Sequence, residues 1–494
     1  MAEQSLKDKT VKGTAWSATE MILRYGVSFI VGIILARLLS PDEYGLIGIL
    51  SIFITVFEII IDGGFANALI RKQKANDIDY STVFYTNLVL SLAMAGVLFA
   101  CAKPIAIFFE REELIALTQA MSPIIIINAL AIVQRVRLTK RLDFKTQAII
   151  TFISAVVSGG LGIFLAYKGY GVWALVAQQL SNAGVNTVLL WMFNRWWPNL
   201  CFSWKSFLEM WNFGWKLLAG GLLNTLSDEI HSAVIGKIYA PATLGQYTRA
   251  RQFGSLLSSN ISNIVAKVSY PVLSTIQEDK IRLKSSYQRL IKTTVLPTFV
   301  LMMGLCAMAK PLLLLLIGPQ WDDAVVYLQI LCFIMMMNPL HRLNISAILV
   351  TGRSDLNLRI NNIKNLLIVF PVLVGIFTNI YWMLITDLAK GLFCYYLNTY
   401  YSGPLLNYSI REQFKDILPS FLVAVGAALP VYLIGYLPFS TTVLFPFQAV
   451  LWVALVLLIC EKTQLEEYKE IRGIVISVIA KYSGNVLNKK RLNE

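Results

Sequence analysis

Apolar runs of about 20 residues recur along nearly the whole of this 494-residue chain, and no other feature constrains its fold as strongly. Each run is long enough to cross a hydrocarbon core of roughly 30 Å. Only 15% of the residues are charged, where soluble domains carry roughly 25%, and the mean hydropathy is +0.62. The sequence therefore predicts an all-α integral membrane protein that crosses the bilayer many times.

Fourteen such runs can be placed along the chain, so fourteen transmembrane helices are predicted. Their expected bounds, each soft by several residues, are 12–38, 46–69, 82–109, 114–134, 147–167, 170–194, 212–239, 244–272, 291–317, 323–350, 358–380, 382–404, 417–437 and 441–460. These runs are numbered helix 1 to helix 14 in the predictions below.

The distribution of Lys and Arg predicts the orientation of these helices. If the N-terminus is cytoplasmic, the inward-facing segments hold most of the 43 basic residues, in groups such as Arg71, Lys72 and Lys74. The outward-facing segments hold mainly single residues at helix ends, such as Arg37 and Lys237. Because cytoplasmic loops are enriched in Lys and Arg, both termini are predicted to lie in the cytoplasm. The net charge of +14 then reflects topology and contact with anionic membrane lipids, and no nucleic-acid partner is expected.

Three short motifs recur in the same order, with spacings of 200, 207 and 212 residues. The pairs are "ARLLSPDEYG" at 36–45 with "GKIYAPATLG" at 236–245, "ACAKP" at 100–104 with "AMAKP" at 307–311, and "TKRLD" at 139–143 with "TGRSD" at 351–355. Three collinear matches predict two six-helix repeats, with helices 13 and 14 added after them. Six is an even number of crossings, so both repeats have the same orientation, as in one known plan of transporters.

The repeats predict two lobes around a central cavity. The expected domains are an N-lobe of helices 1–6 at 1–194, an interfacial cytoplasmic linker rich in Trp at 195–211, a C-lobe of helices 7–12 at 212–404, helices 13–14 at 405–460 and a cytoplasmic amphipathic and basic tail at 461–494. Within the first motif, Pro41 redirects the chain and Gly45 permits a tight turn, so this motif is predicted to be a helix–helix corner.

Charged side chains inside the predicted helices indicate where a functional site lies. A charge at the bilayer centre costs roughly 3 kcal/mol or more, so each needs a water-filled cavity or a partner. In chain order these residues and their polar neighbours are Glu20 and Arg24 (helix 1), Glu58 and Asp62 (helix 2), Lys216, Asn224, Asp228, Glu229 and His231 (helix 7), His341 and Arg342 (helix 10), and Asp387 and Lys390 (helix 12). Helix 8 carries further polar residues.

Helix 8 is the least apolar of the helices, and most of its polar residues share one face. At 100° per residue, a single stripe interrupted by Leu256 holds Arg249, Gln252, Asn260, Asn263 and Lys267. Arg251 falls on the opposite side. The stripe indicates either a cationic wall for an anionic substrate, because arginine matches phosphate oxygens, or a polar packing seam satisfied by Asp228 or Glu229.

The two acids of helix 2 also have two interpretations. Glu58 and Asp62 lie four residues apart on one helix face, and Asp62 begins the sequence "DGG". They are suited to bind a coupling proton or cation, or else to form ion pairs with Arg24. Glu20 and Arg24, also four apart, can neutralise each other.

Motifs of soluble enzymes are absent from the sequence. The chain has two histidines and contains no HExxH, CxxC, GxSxG or P-loop pattern. The predicted outer loops are also too short to hold a catalytic centre. We therefore expect no enzyme activity and no metal or other cofactor.

Several stretches together resemble the Wzx-type polysaccharide exporters, which form the oligosaccharide-flippase branch of the MATE/flippase superfamily. The stretches are "ARLLSPDEYGLIGI", "DGGFANALIRK", "RLDFK", "GYGVWALV", "GQYTRARQ" and "YPVLSTIQED". The likeness runs from about residue 5 to residue 460 and lies close to the colanic-acid and teichuronic-acid exporters.

The resemblance implies a flippase for undecaprenyl-pyrophosphate-linked oligosaccharides in a bacterial inner membrane. Related lipid flippases place cavity arginines on helices 1, 2 and 8, and Arg24 and Arg249 match the first and the last of these. Helix 2 departs from the pattern, because it carries Glu58 and Asp62 where a basic residue is expected.

The predicted function is therefore export of a lipid-linked glycan by alternating access, for the synthesis of lipopolysaccharide, capsule or exopolysaccharide. The expected substrate-binding residues are Arg24, Arg249 and Lys267 for the pyrophosphate, Asn224, Gln252, Asn260 and Asn263 for the sugars, and Arg342 as a further contact. Coupling to H⁺ or Na⁺ is expected at Glu58, Asp62, Asp228 or Glu229. The expected partners are the substrate, membrane lipids and the polysaccharide assembly machinery. The alternative is a cation-coupled multidrug or small-molecule antiporter of the same superfamily.

Overall fold

The computed structural model describes residues 26–473, and within that range the chain is helical and has no β-strand. Predictions for Glu20, Arg24 and the basic end of the tail lie outside the described residues. Nine helical stretches of the described range are long and apolar enough to cross a membrane. The prediction of an all-helical, multi-pass membrane protein is confirmed, whereas the count of fourteen crossings and the two six-helix repeats stay predictions.

The helices cover most of the described range. Those of the first half are α1 (Gly26–Leu38, as far as described), α2 (Pro41–Asp62), α3 (Phe65–Arg71), α4 (Asp77–Ala100), α5 (Ala102–Phe109), α6 (Glu113–Met121), α7 (Pro123–Lys140), α8 (Phe144–Tyr167), α9 (Val172–Asn194) and α10 (Trp204–Ile238). Those of the second half are α11 (Pro241–Ser274), α12 (Lys280–Ala307), α13 (Ala309–Ile317), a 3₁₀ turn (Pro319–Trp321), α14 (Asp322–Met335), α15 (Asn338–Val350), α16 (Ser354–Leu367), α17 (Val369–Phe377), α18 (Ile380–Leu406), α19 (Ile410–Ile434), α20 (Thr441–Thr463) and a helical stretch at 466–473.

Contacts between helices divide the chain into two compact units, Met1–Thr248 and Arg249–Glu494. The first unit holds α1–α10 and the opening turns of α11. The second unit holds the rest of α11 and α12–α20. The lobes expected at 1–194 and 212–404 stay predictions, and each unit is described by itself.

Proline interrupts a helix at the same motif in both units. In "ACAKP" the chain breaks at Cys101, between α4 and α5, and in "AMAKP" it breaks at Met308, between α12 and α13. Pro104 and Pro311 follow three residues later, and each lacks the N–H that would continue the helical hydrogen bonds. The paired motifs thus produce the same local structure.

Several helices begin earlier than hydropathy predicts, and the difference is largest for α10 and α12. α10 begins at Trp204 instead of 212, and α12 begins at Lys280 instead of 291. In both, a side chain caps the first turn: the Ser203 hydroxyl accepts a hydrogen bond from Ser206 N at 3.3 Å, and the Asp279 carboxylate accepts one from Arg282 N at 3.0 Å. The segment between α9 and α10 is therefore shorter than the predicted linker at 195–211.

Hydrogen bonds fix this segment to the start of α4. The backbone N–H groups of Asn199 and Ser203 donate to the hydroxyls of Ser81 and Thr82, at 3.0 and 3.1 Å. Trp196 is buried and lies 5.0 Å from the Arg137 guanidinium, a cation–π contact. The segment is consequently held in place against the first unit.

Lys72, in the short connection between α3 and α4, joins three elements of the first unit. Its Nζ lies 3.0 Å from Asp79 Oδ1 and 2.9 Å from Glu209 Oε2. Partial burial opposes the charge of Lys72, but the hydrogen bonds to Glu209 and Asp79 outweigh it, and the pKa of Lys72 is raised above its usual 10.5. Lys72 therefore connects α4 to the start of α10 as a charged group.

The two Pro–Gly corners meet directly inside the first unit. A Cβ added at Gly45 would overlap the Pro241 carbonyl oxygen, and one added at Gly245 would overlap the Pro41 carbonyl oxygen. The starts of α2 and α11 thus cross with backbone against backbone, which only glycine permits at these two positions. The motif lies at a helix corner, but the tight turn predicted at Gly45 is wrong, because Gly45 lies within α2. Its role is to permit the contact between the two copies of the motif.

Candidate transport site

A cavity with two carboxylates lies in the first unit, between α2, α3 and α7. We call it the acidic cavity; it encloses about 430 Å³. Its polar lining consists of Glu58, Asp62, Asn128, Arg135 and Thr139, and the rest is mainly aliphatic. The two acids that the sequence singled out on helix 2 therefore share one cavity.

Glycines set the position of Asp62 in the acidic cavity. α2 ends there because Gly63 adopts φ of 52° and Gly64 adopts φ of 73°, both in the left-handed region. A Cβ at Gly64 would lie 2.6 Å from the carbonyl oxygen of Gly214 on α10, so this close approach also requires glycine. The Asp62 carboxylate accepts a hydrogen bond from Ala66 N at 3.3 Å and caps α3.

Glu58 is held by an amide from another helix. Asn128 Nδ2 on α7 donates to Glu58 Oε1 at 2.5 Å. Arg135, about two turns further along α7, interacts electrostatically with Glu58 and donates to Asn186 Oδ1 at 3.4 Å. A half-buried carboxylate with an amide donor and a nearby guanidinium is suited to gaining and losing a proton or a small cation.

Asn128 and Arg135 are not among the residues that the sequence predicts for the site. A signal was present, because Asn128 interrupts the apolar run "IIIINALAIV". Its pairing with Glu58, 70 residues away in the chain, depends on how α2 and α7 pack and is not encoded in local spacing.

The polar stripe of α11 is only partly solvent-exposed. Arg249 is buried and its Nη1 donates to Gln252 Oε1, one turn away on the same helix. Asn260 is half-buried and donates to the Leu256 carbonyl oxygen at 2.6 Å, whereas Asn263 and Lys267 are exposed. The N-terminal end of the stripe, at Arg249, is therefore buried, and Gln252 holds the orientation of the Arg249 guanidinium.

The residues predicted on helix 7 lie along α10 with graded exposure. Asn224 and Asp228 are exposed, Glu229 is half-buried and His231 is buried. Lys216, nearer the start of the same helix, is exposed. All five stay predictions.

In the second unit, Arg342 on α15 is exposed and follows the half-buried His341, whose Nδ1 lies 2.9 Å from the side-chain amide of Asn398. Asp387 and Lys390 on α18 form an ion pair, with 2.5 Å between Oδ1 and Nζ. In the described part of the chain, no three His, Cys, Asp or Glu side chains are grouped as a metal site would require.

Two solved structures share the fold of this chain. The structure titled "Lipid II flippase MurJ, inward closed conformation" matches 93% of this chain and 99% of its own with a TM-score of 0.74, at 14% identity. An inward-facing multidrug resistance MATE family transporter of the MOP superfamily matches 79% of this chain and 96% of its own with a TM-score of 0.59, at 16% identity. The fold is that of the helical MurJ and MATE membrane transporters.

The chain belongs to the polysaccharide biosynthesis protein family, whose model matches residues 34–326, more than half of its length. It is 28% identical over 317 residues to the succinoglycan biosynthesis transport protein ExoT of Rhizobium meliloti, covering 64% of each chain. It is 23% identical over 374 residues to the lipopolysaccharide biosynthesis protein WzxC of Escherichia coli, covering 75% of this chain and 76% of that one. It is 24% identical over 354 residues to the teichuronic acid biosynthesis protein TuaB of Bacillus subtilis, covering 71% and 73%. The resemblance read from the sequence motifs is confirmed, and the chain is a membrane protein of polysaccharide biosynthesis.

Proposed function

We propose that this protein is a flippase that carries an undecaprenyl-pyrophosphate-linked oligosaccharide across the bacterial inner membrane by alternating access. The observation that carries the proposal is membership of the polysaccharide biosynthesis family together with a fold like that of a lipid II flippase. The relatives are named for succinoglycan, lipopolysaccharide and teichuronic acid synthesis, so the glycan belongs to a cell-surface polymer.

The finer architecture belongs to this proposal. Fourteen crossings, two parallel six-helix repeats and cytoplasmic termini agree with the positions of the basic residues and of the repeated motifs. In this arrangement the substrate enters from the cytoplasm and leaves on the outer side, where the assembly machinery polymerises it.

Arg24, Arg249 and Lys267 bind the pyrophosphate in the proposed cycle, and Asn224, Gln252, Asn260 and Asn263 meet the sugars. The contact that supports these roles is the Arg249–Gln252 hydrogen bond, which leaves a buried guanidinium oriented before substrate arrives. Arginine forms paired hydrogen bonds with phosphate oxygens and stays charged at every physiological pH.

The acidic cavity supports coupling to an H⁺ or Na⁺ gradient. Glu58 and Asp62 share one lining and Asn128 orients the first, so a bound cation would change the charge of a site inside the membrane. Asp228 and Glu229 on α10 are further candidates for the same role.

Coupling is tested by transport of the lipid-linked oligosaccharide into vesicles with the H⁺ and Na⁺ gradients collapsed in turn. Glu58→Gln keeps an acceptor for Asn128 but removes the charge, so transport should become independent of the gradient that drives the native protein. Asp323→Asn, at an exposed carboxylate of α14, is the matched control and should behave as the native protein. If transport by the native protein is unchanged when either gradient is collapsed, coupling at the acidic cavity is refuted.

The export function is tested by depletion of the protein and mass spectrometry of the lipid fraction. A lipid-linked oligosaccharide should accumulate, and its mass would name the glycan. A multidrug antiporter is the second candidate, favoured by the MATE fold and by the two acids in the acidic cavity. Drug hypersensitivity of the deletion strain without any lipid-linked intermediate would favour that candidate.

A further inference from the structure

An excess of positive charge lies where three helices of the second unit meet. We call the group of Arg342 on α15, Lys364 on α16 and Lys390 on α18 the basic cluster. Lys390 is neutralised by Asp387 at 2.5 Å, with both side chains less than one-fifth exposed. Among the described residues, neither Arg342 nor Lys364 forms an ion pair with a carboxylate. Two cations of apolar, membrane-spanning segments thus lack an anionic partner.

The cluster is one electrostatic neighbourhood. Lys364 interacts with Arg342 and with the Cys394 thiol of α18, and the His341 imidazole interacts with both Lys364 and Lys390. α15, α16 and α18 also pack against one another in pairs. The charges on three separate helices therefore act on one another.

A polar wall continues from the cluster into the packed interior. Asn398 is fully buried; one atom of its amide contacts His341 at 2.9 Å, and the other has no hydrogen-bond partner among the described residues. One turn further along α18, Ser402 donates to Asn344 Oδ1 at 2.6 Å. The two ends of an Asn amide are told apart only by their hydrogen bonds. With Oδ1 accepting from the His341 Nδ1–H, the unused atom of this buried amide is Nδ2, a donor that an anion can satisfy.

The helices that carry the cluster are interrupted nearby. α14 and α15 are separated at Met336 and Met337, just before Pro339, and α16 and α17 are separated at Ile368, just before Pro371. In the first break, Ser258 donates to the Met335 carbonyl oxygen at 2.7 Å. Broken helices inside a membrane are tolerated where they are buried in protein or line a cavity, and they are typical of transporter binding sites.

We propose that the basic cluster binds a phosphate-bearing anion, with Lys364 and Arg342 as its cationic contacts and the Asn398 amide beside it. A phosphate supplies the missing negative charge and accepts charge-assisted hydrogen bonds from both side chains. Its carrier is either the pyrophosphate of the lipid-linked substrate, which rests on the proposed function, or the head group of an anionic membrane lipid.

The test uses the purified full-length protein in phosphatidylcholine nanodiscs, with inorganic pyrophosphate and phosphatidylglycerol as separate probes. Lys364→Met should weaken binding of at least one probe about tenfold or more, because a charge-assisted contact is lost. It should also raise the melting temperature of the ligand-free protein, since an uncompensated cation is removed. Lys364→Arg should retain binding, and the matched control Lys310→Met, at an exposed lysine of the same unit, should leave it unchanged.

The outcomes separate this proposal from the export function. Loss of pyrophosphate binding assigns the site to the substrate, and loss of phosphatidylglycerol binding alone assigns it to a membrane lipid. Unchanged affinity of Lys364→Met for both probes refutes the phosphate site. A lowered melting temperature with unchanged binding also refutes it, because the Lys364 ammonium would then stabilise the fold and not bind a ligand. Depletion without an accumulated lipid-linked oligosaccharide refutes the flippase and leaves the phosphate site standing.

Discussion

Replacing Gly45 by alanine should damage the protein through a single methyl group. The added Cβ would overlap the carbonyl oxygen of Pro241 and lie 2.9 Å from Pro241 Cα, closer than real Cβ atoms come. These neighbours are backbone atoms, so no change of side-chain rotamer relieves the overlap and the starts of α2 and α11 must separate.

Overpacking costs about 1–3 kcal/mol, and a backbone neighbour places Gly45→Ala at the upper end, about 3 kcal/mol. In a unit of this size that corresponds to a fall in melting temperature of roughly 6–12 °C. The assay is thermal unfolding of the purified protein in one detergent, followed by tryptophan fluorescence.

Two controls and a double variant make the test specific. At Gly96 on α4 a Cβ meets nothing within 4 Å, so Gly96→Ala should not lower the melting temperature. At Gly48 the Cβ meets a flexible leucine side chain at 3.2 Å, so Gly48→Ala should have a small effect. The losses of stability caused by Gly45→Ala and Gly245→Ala should be less than additive in the double variant, because one displacement of the two helices relieves both overlaps. A melting temperature for Gly45→Ala equal to that of Gly96→Ala would refute the crossing.

Substitutions test three further contacts of the first unit. Lys72→Ala should cost about 1.5–3 kcal/mol of unfolding free energy, because it leaves the buried Asp79 carboxylate without its ion-pair partner. Glu209→Ala, at a side chain 58% exposed, should cost less than about 1 kcal/mol. Equal losses of stability in the two variants would contradict this difference. Because the pKa of Lys72 is raised above 10.5, its contribution to stability is complete below pH 10.5 and should be lost as the pH rises beyond that value. The measurement is the difference in melting temperature between native protein and Lys72→Ala as a function of pH. The hydrogen bond and charge of Lys237 lower the pKa of Glu110 below its usual 4.5. At pH 6 native protein should therefore have a higher melting temperature than Glu110→Gln, and the two melting temperatures should converge as the pH falls below 4.5. Asn194→Ala removes the donor to the Gln134 carbonyl oxygen and side chain and should cost about 1–3 kcal/mol in the same melting assay, while Ser181→Ala, whose hydroxyl bonds only within its own helix, should be nearly neutral.

The positions of the helices follow from the sequence because a membrane demands long apolar segments. Their beginnings do not follow from hydropathy, because caps such as Ser203 and Asp279 and spaced apolar residues such as Leu283 and Tyr287 extend a helix through a polar stretch. A search for capping residues upstream of each apolar run would have recovered both extensions.

The candidate site was predictable in part. The ion pair of Asp387 with Lys390 and the contact of Arg249 with Gln252 join residues three apart on one helix, and helical spacing alone predicts such pairs. The hydrogen bond of Asn128 to Glu58 and the electrostatic interaction of Lys364 with Arg342 join different helices, so they depend on packing that one sequence does not specify.

The docking of α10 on the first unit determines where the chain can be divided in the laboratory. Phe207 and Trp211 stack beside Phe65, and Met210 is buried in the same core as Phe84 and Trp196. A fragment ending at residue 194, the natural choice from the repeat, would lack all of these α10 side chains and expose the aromatic surface that they cover. An expression fragment that is to remain soluble in detergent therefore has to include α10. A reporter protein inserted at 195–203 would separate α10 from the first unit and disrupt the fold.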